Sequence, residues 1–250
     1  MFLQRIVLDR NATVVDIVNS DYRTADVFRK YGIEYCCGGK YPLHIACKSN
    51  GANEETVLKE LEEAMREMNT SHTLNFAEWH IDFLTDYIVN VHHHYLRNAL
   101  PRLQDYVDRF AQGHRNKFVY LNELQESVRQ MGLNFIPHLK HEEEIIFPYI
   151  RQIGHAYYNK EPYASLLVRT LRKPVEKIME SEHQSTATAL NRMRELTSNY
   201  TAPENACLSH KVTFAKLREV DNDLTQHIHL ENDILFPRAI AMEKELLEHR

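Results

Sequence analysis

The feature that most constrains this chain is a motif that occurs twice. His138-Leu139-Lys140-His141-Glu142 and His227-Ile228-His229-Leu230-Glu231 share the frame His-x-x-x-Glu, and each is followed after four residues by Phe-Pro, at Phe147-Pro148 and Phe236-Pro237. Residues four apart lie one turn from each other on a helix, so the His and Glu of each copy can point the same way off one face. Burying imidazole and carboxylate beside Ile145, Ile146, Ile234 and Leu235 would be costly without compensation, and a bound cation compensates both. Each copy reads as half of a metal site, with the proline ending its helix. One copy alone would read as a solvated helix face; two copies in matched frames make coincidence the weaker account.

The rest of the composition fits a helical protein. The chain has 250 residues, enough for one sizeable core and a small second domain, and 43% hydrophobic against 26% charged content places it among globular proteins. Glycine and proline are few, long amphipathic segments dominate, and alternating strand patterns with hairpin dipeptides are hard to find, so an all-α fold is expected. A net charge of −5 argues against nucleic acid as a partner. Arg5 and Asp9 interrupt the apolar N-terminus before a signal-peptide core could form, and no run is long enough to span a bilayer, so the expectation is a cytoplasmic protein without a membrane partner. Four cysteines, two of them adjacent, make no disulfide framework in a chain of this size. Fifteen histidines are the compositional anomaly.

Taken in order, residues 1–69 read as a small helical domain. Thr13 caps a helix through Asn19, a second starts at Asp21 or Thr24 and stops at Tyr31-Gly32, Pro42 to Lys48 is a short helix, and Asn53 caps another through about Met68. Between the second and third lies Tyr35-Cys36-Cys37-Gly38-Gly39, whose glycines permit a tight turn bearing both thiols. As buried small hydrophobes these cysteines would sit oddly in a glycine-flanked turn; as redox thiols or soft-metal ligands they would not. Cys47 and Cys207 lack such a context. The polar stretch Asn69 to Asn75 reads as a linker, and residues 76–250 as four long helices, hence a bundle. The first carries His92-His93-His94 and is bent by Pro101; the second and fourth carry the twin motifs; the third, from about Val175 to Tyr200, contains Met179-Glu180-Ser181-Glu182-His183.

In such a bundle the second and fourth helices each give a His and a Glu, and the first and third can each add one His. Four imidazoles and two carboxylates suffice for two metal ions bridged by the carboxylates, with iron or manganese preferred and zinc as an alternative. Periodicity does not choose among His92, His93 and His94. His80, His114, His141 and His229 read as solvated or outer partners, and Glu143, Glu144 and Asp233 as a solvated acidic face.

The ordered combination of Cys36-Cys37-Gly38-Gly39, His-His near Leu100-Pro101, the segment ending in His183 and the two His-x-x-x-Glu…Phe-Pro copies resembles the RIC, or repair of iron centres, family. The resemblance covers nearly the whole chain. It implies a hemerythrin-like four-helix bundle preceded by the small domain, and a non-haem centre of two Fe ions with an oxo or hydroxo bridge. The first-helix ligand of the family stands seven residues before the Leu of Leu-Pro, which selects His93, with His92 as runner-up in the His-His-His run. The remaining ligands carry over as His138, Glu142, His183, His227 and Glu231, and the family's paired cysteines as Cys36 and Cys37. The chain departs from relatives that carry a glutamate one turn before the first motif, having Asn134 there.

The implied function is repair of iron-sulfur clusters damaged by oxidative or nitrosative stress, by iron donation to iron-sulfur client proteins. The same ligands would also suit reduction of nitric oxide, which would make the protein an enzyme, or reversible binding of NO or O2 as in a hemerythrin-like carrier or sensor. A carrier needs no paired thiols. A homodimer is an expectation from the family.

Overall fold

Local capping starts the first helices where the side chains dictate. Thr13 Oγ1 accepts from Asp16 N to open α1 (Val14–Ser20), and Asn53 Oδ1 accepts from Thr56 N to open α4 (Glu54–Ala64). Between them lie α2 (Thr24–Lys30), which stops where Gly32 takes φ +67°, and α3 (Leu43–Ser49). The computed structural model describes residues 8–9, 11–35, 40–65, 74–162, 164–171 and 175–248, the side chains of 167, 170, 171 and 175–184 excepted. Cys36, Cys37 and most of the expected linker lie outside the described residues.

The chain divides into two compact units, Met1–Thr73 with Ala202–Ala215, and Leu74–Thr201 with Lys216–Arg250. In the first, α2 and α3 pack on α4 around Phe28, Leu43, Cys47, Val57 and Leu61, all fully buried. Lys30 Nζ and Tyr31 Oη, at 2.7 and 2.8 Å, both bond Glu60 across that contact. Burial pushes the Cys47 thiol up, as expected of a packing residue and not of a reactive thiolate.

The second unit is built from long helical runs. The first comprises α5 (Ile81–Tyr87), a π-helical turn (Ile88–His93) and α6 (His94–His114). The second comprises α7 (Leu121–His141), a π turn (Glu142–Ile146) and α8 (Phe147–Tyr158). After α9 (Ala164–Leu171) come α10 (Val175–Leu196) and the last run, α11 (Leu208–His229, of which the residues through Ala215 belong to the first unit), a π turn (Leu230–Leu235) and α12 (Phe236–Glu248). No strand occurs among the described residues, and the fold is all-α, as expected. No helix among them is long and apolar enough to cross a membrane.

The two Phe-Pro pairs do not end their helices. Pro148 and Pro237 stand at the second position of α8 and α12, where no intrahelical N–H is required, and the chain continues helically past both. A proline also clashes with the carbonyl four residues before it, and a π turn widens the backbone there. Phe147 N bonds back to Glu142 O and Phe236 N to Glu231 O, the five-residue spacing of that wider turn.

Two apolar layers result. Ile81, Leu84, Ile88, Phe147, Ile150, Ile153, Leu235 and Phe236 form one cluster among α5, α8 and α12, while α6 and α7 bury Leu103, Val107, Phe110, Leu121 and Leu124. The α10–α11 corner is held by Asp221, 3% exposed, which accepts from Arg194 Nε at 2.7 Å and Tyr200 Oη at 2.6 Å. This pairing fixes a turn in which Ser198, Asn199 and Tyr200 all adopt left-handed φ, a conformation costing each such residue roughly 1–2 kcal/mol. Burial and the Asp221 carboxylate push the Tyr200 phenol far up, so it remains a donor.

Helices α5 and α8 touch at Gly154, where an added Cβ would lie 2.5 Å from Ile81 Cγ2. Gly154→Ala is expected to lower stability by about 1–2 kcal/mol in denaturant unfolding, overpacking outweighing the gain in helix propensity. Asp221→Ala should cost about 1–3 kcal/mol, because it takes the acceptor from the buried Tyr200 hydroxyl while Arg194, one-third exposed, keeps Asn191 and Thr225.

Candidate metal centre

Each twin motif folds the same way. His138 and His227 lie in the last turns of α7 and α11, and Glu142 and Glu231 at the openings of the π turns that follow. His138 Nε2 stands 3.2 Å from Glu142 Oε1, and His227 Nε2 stands 3.1 Å from Glu231 Oε1. The third π turn, before α6, ends at His93. Such turns shift the helical register by a residue and so re-aim side chains that an unbroken α-helix would place elsewhere.

These turns bring His93, Glu142, His227 and Glu231 together, one donor atom of each lying within 4.8 Å of all the others. Their exposures are 0, 2, 0 and 0%, and His138, at 9%, stands at the rim beside Glu142. His93 Nε2 lies 3.0 Å from His227 Nε2, 3.5 Å from Glu142 Oε2 and 3.8 Å from Glu231 Oε1. Ligands on one ion at bond lengths of about 2.0–2.1 Å stand roughly 3.0 Å apart when adjacent and up to about 4.2 Å apart when opposite, so separations of 3.0, 3.5 and 3.8 Å lie within reach of a transition-metal ion. The donor set fits as well, since imidazole nitrogen and carboxylate oxygen together suit such cations and a cation offsets two buried carboxylates.

The surrounding side chains fix this set. Phe147 stacks on the His93 ring at 5.4 Å, and Phe135 meets His227 edge-on at 5.6 Å and His138 at 5.1 Å. His93 Nδ1 lies 2.8 Å from Glu143 Oε1, which also receives Arg97 Nη2 at 2.8 Å. Burial pushes the Glu143 carboxyl up, but the hydrogen bonds from Arg97 and His93 outweigh it and hold the group below its ordinary range. An ionised carboxylate only accepts, so Nδ1 of His93 carries the proton and Nε2 presents its lone pair to the cluster.

This corrects the expectation for Glu143, which is an outer partner of the site and not part of a solvated face. The missed signal was the pairing of Glu143 with a basic residue four beyond His93, invisible without the docking of α6 on α7. Glu144 and Asp233 do lie exposed, beside Lys140 and His229. The structure separates the three histidines: His93 enters the cluster, His92 is buried with Nδ1 3.1 Å from Asp223 Oδ2, and His94 is exposed. His183 lies on α10 with its side chain outside the described residues, as are Cys36 and Cys37 altogether. Asn134 is exposed one turn before His138.

Residues 84–239 match the hemerythrin HHE cation binding domain, and residues 10–65 match a domain of unknown function, DUF542. An iron-sulfur cluster repair protein, YtfE, of Edwardsiella ictaluri is 30% identical over 235 residues, covering 93% of this chain and 98% of the relative. The chain belongs to this family of hemerythrin-domain repair proteins. The iron-sulfur cluster repair protein ScdA of Staphylococcus haemolyticus is 28% identical over 230 residues, covering 92% of this chain and 98% of the relative. A probable iron-sulfur cluster repair protein of Haemophilus influenzae is 28% identical over 214 residues. The cation-binding domain of the family spans all three π turns and both motifs.

Removing the outer carboxylate should loosen the site without dismantling it. Glu143→Ala is expected to weaken metal binding roughly 10–100-fold in competition with a chromophoric chelator, with helix content unchanged. Unaltered affinity would show that His93 needs no such partner.

Proposed function

We propose that this chain repairs iron-sulfur clusters damaged by oxidative or nitrosative stress, by donating iron from a non-haem di-iron centre to iron-sulfur client proteins. What carries the reading is the convergence of His93, Glu142, His227 and Glu231 in a chain similar over nearly its whole length to relatives named as iron-sulfur cluster repair proteins. In this reading His93, His138, His183 and His227 supply the imidazoles, and Glu142 and Glu231 the bridging carboxylates. His183 and the thiols of Cys36 and Cys37 enter from the sequence and the family resemblance. Bound there, iron supplies ferrous–ferric redox chemistry and exchangeable coordination positions.

The chain's own residues give this site the character of a donor. Glu143 and Phe147 hold the His93 ring in one orientation, and Phe135 holds the His227 ring. Ile146, Leu230 and Leu235, on the same π turns as Glu142 and Glu231, are buried with them, so the carboxylates stand on turns closed to solvent. His138 is the most exposed of the five clustered side chains, which makes its side the one through which an ion enters and leaves. Four neutral imidazoles against two carboxylates hold a pair of divalent ions with residual positive charge, a disposition toward release. Cys36 and Cys37 assist transfer or docking at the client, in a reducing cytoplasm that keeps them as thiols.

The test is anaerobic reconstitution with ferrous iron, followed by mixing with an iron-sulfur hydratase inactivated by peroxide. The parent protein should bind about two irons per chain through its imidazole and carboxylate donors and lose them as hydratase activity returns. Glu142→Ala and Glu231→Ala should bind less iron with unchanged circular dichroism. Cys36→Ser with Cys37→Ser should bind iron normally and restore little activity. Full iron content in either glutamate variant would overturn the ligand assignment, and restored activity without iron loss would overturn donation.

A further inference from the structure

Outside the cluster, aromatic side chains of the first helical run and of the residues just before it form a file that reaches the site. Trp79, half-buried, is the sole tryptophan of the chain. Its ring meets Tyr87 edge-on at 5.3 Å, Tyr87 meets His92 edge-on at 5.6 Å, and His92 lies 6.1 Å from the ring of His227. Phe76 packs against both Trp79 and Tyr87, at 4.7 and 5.3 Å, and Phe83, 55% exposed, covers Trp79 at 4.8 Å. His92 is buried with its Nδ1 3.1 Å from Asp223 Oδ2, and its ring links the file to the cluster.

A core needs bulk at these positions but has no use for their electronic properties. Tyrosine and tryptophan are the side chains most readily oxidised by one electron, and the file orders them from the site outward, phenol inside and indole at the surface. Burial, and then the charge of Asp223, push the Tyr87 phenol up, so it holds its proton until it is oxidised.

We propose that Tyr87 and Trp79 form an electron-supply route through His92 that protects the metal centre when it meets a hydroperoxide. The inference rests on the reading of the His/Glu cluster as a redox-active metal site. Reduction of one hydrogen peroxide to two water molecules takes two electrons and two protons. Where one of these electrons has to come from the chain, Tyr87 gives it and its phenolic proton leaves to solvent. Trp79 then reduces the tyrosyl radical, which takes a proton back from solvent as the indole N–H proton leaves. A small thiol at the surface returns one hydrogen atom to Trp79. Two such events consume two thiols and release one disulfide, each event leaving the site oxidised by one electron. Without the thiol, the oxidised indole reacts onward and Trp79 carries the damage in place of the ligands.

The test uses the full chain loaded anaerobically with ferrous iron, its iron content measured first, then exposed to limiting hydrogen peroxide without thiol. Mass spectrometry locates oxidised residues, and electron paramagnetic resonance of frozen samples detects organic radicals. The loaded parent should show a radical signal and oxidation at Trp79, both absent from the iron-free protein. Tyr87→Phe keeps the ring packing, and it should bind iron normally, lose Trp79 oxidation to the iron-free level and gain oxidation at His93 or His227. Trp79→Phe should retain a radical on Tyr87. Adding a small thiol should abolish Trp79 oxidation in the parent. Trp79 oxidation that is equal with and without iron, or unchanged in Tyr87→Phe, overturns the route while leaving the metal site standing. Failure of the parent to bind iron overturns the metal reading and the route with it.

Discussion

Two carboxylates, on Glu142 and Glu231, are buried to 2 and 0% exposure with donor atoms no more than 4.8 Å apart. If both are ionised they repel by about 3–4 kcal/mol even at an effective dielectric near 20, before any cost of removing them from water. A cation between them reverses the sign of that energy, and the surrounding architecture is arranged so that one fits. The π turns aim the glutamates, the phenylalanines fix the imidazoles, and Glu143 determines which nitrogen of His93 faces inward. Removal of the electrostatic demand would leave no reason for any of these to be present together.

The sequence made some of this legible, and the reasons are specific. Thr13, Asn53 and Gly32 act through bonds and backbone conformations local to their own turns, so α1 and α4 start, and α2 stops, where side-chain chemistry alone says they should, while α4 ends at Ala64, short of the Met68 expected. The His-x-x-x-Glu spacing is equally local, and the paired distances of 3.2 and 3.1 Å follow from it. What could not be read were effects of one helix on another. Glu143 looks solvated until α6 brings His93 and Arg97 to it, and His92 and His93 look alike until their different partners are seen. The Phe-Pro pairs misled for a different reason. Proline is disfavoured within an α-helix because of the carbonyl four residues earlier, and a π turn removes that conflict, a solution that hydrophobic periodicity does not announce.

The burden of holding the site open falls on elements remote from it. Asp221 ties α11 to the end of α10 through Arg194 and Tyr200, six residues before His227 on the same helix, and Gly154 lets α8 approach α5 within the cluster that backs His93. Neither residue offers a ligand. Each fixes the rotation or separation of a helix that does, and ligand geometry tolerates little error in either.

A π turn is, in effect, an α-helix into which one residue has been inserted. Rewinding the same residues from Glu142 to Ile146 as regular α-helix would rotate all of α8 by about 100°. Tyr149, Ile150 and Ile153 would then swing out of the apolar cluster. Deleting one residue there instead restores regular winding with α8 still in phase, so the core can persist while the turn that carries Glu142 is reshaped. The extra residue of the turn therefore belongs to the site and not to the fold.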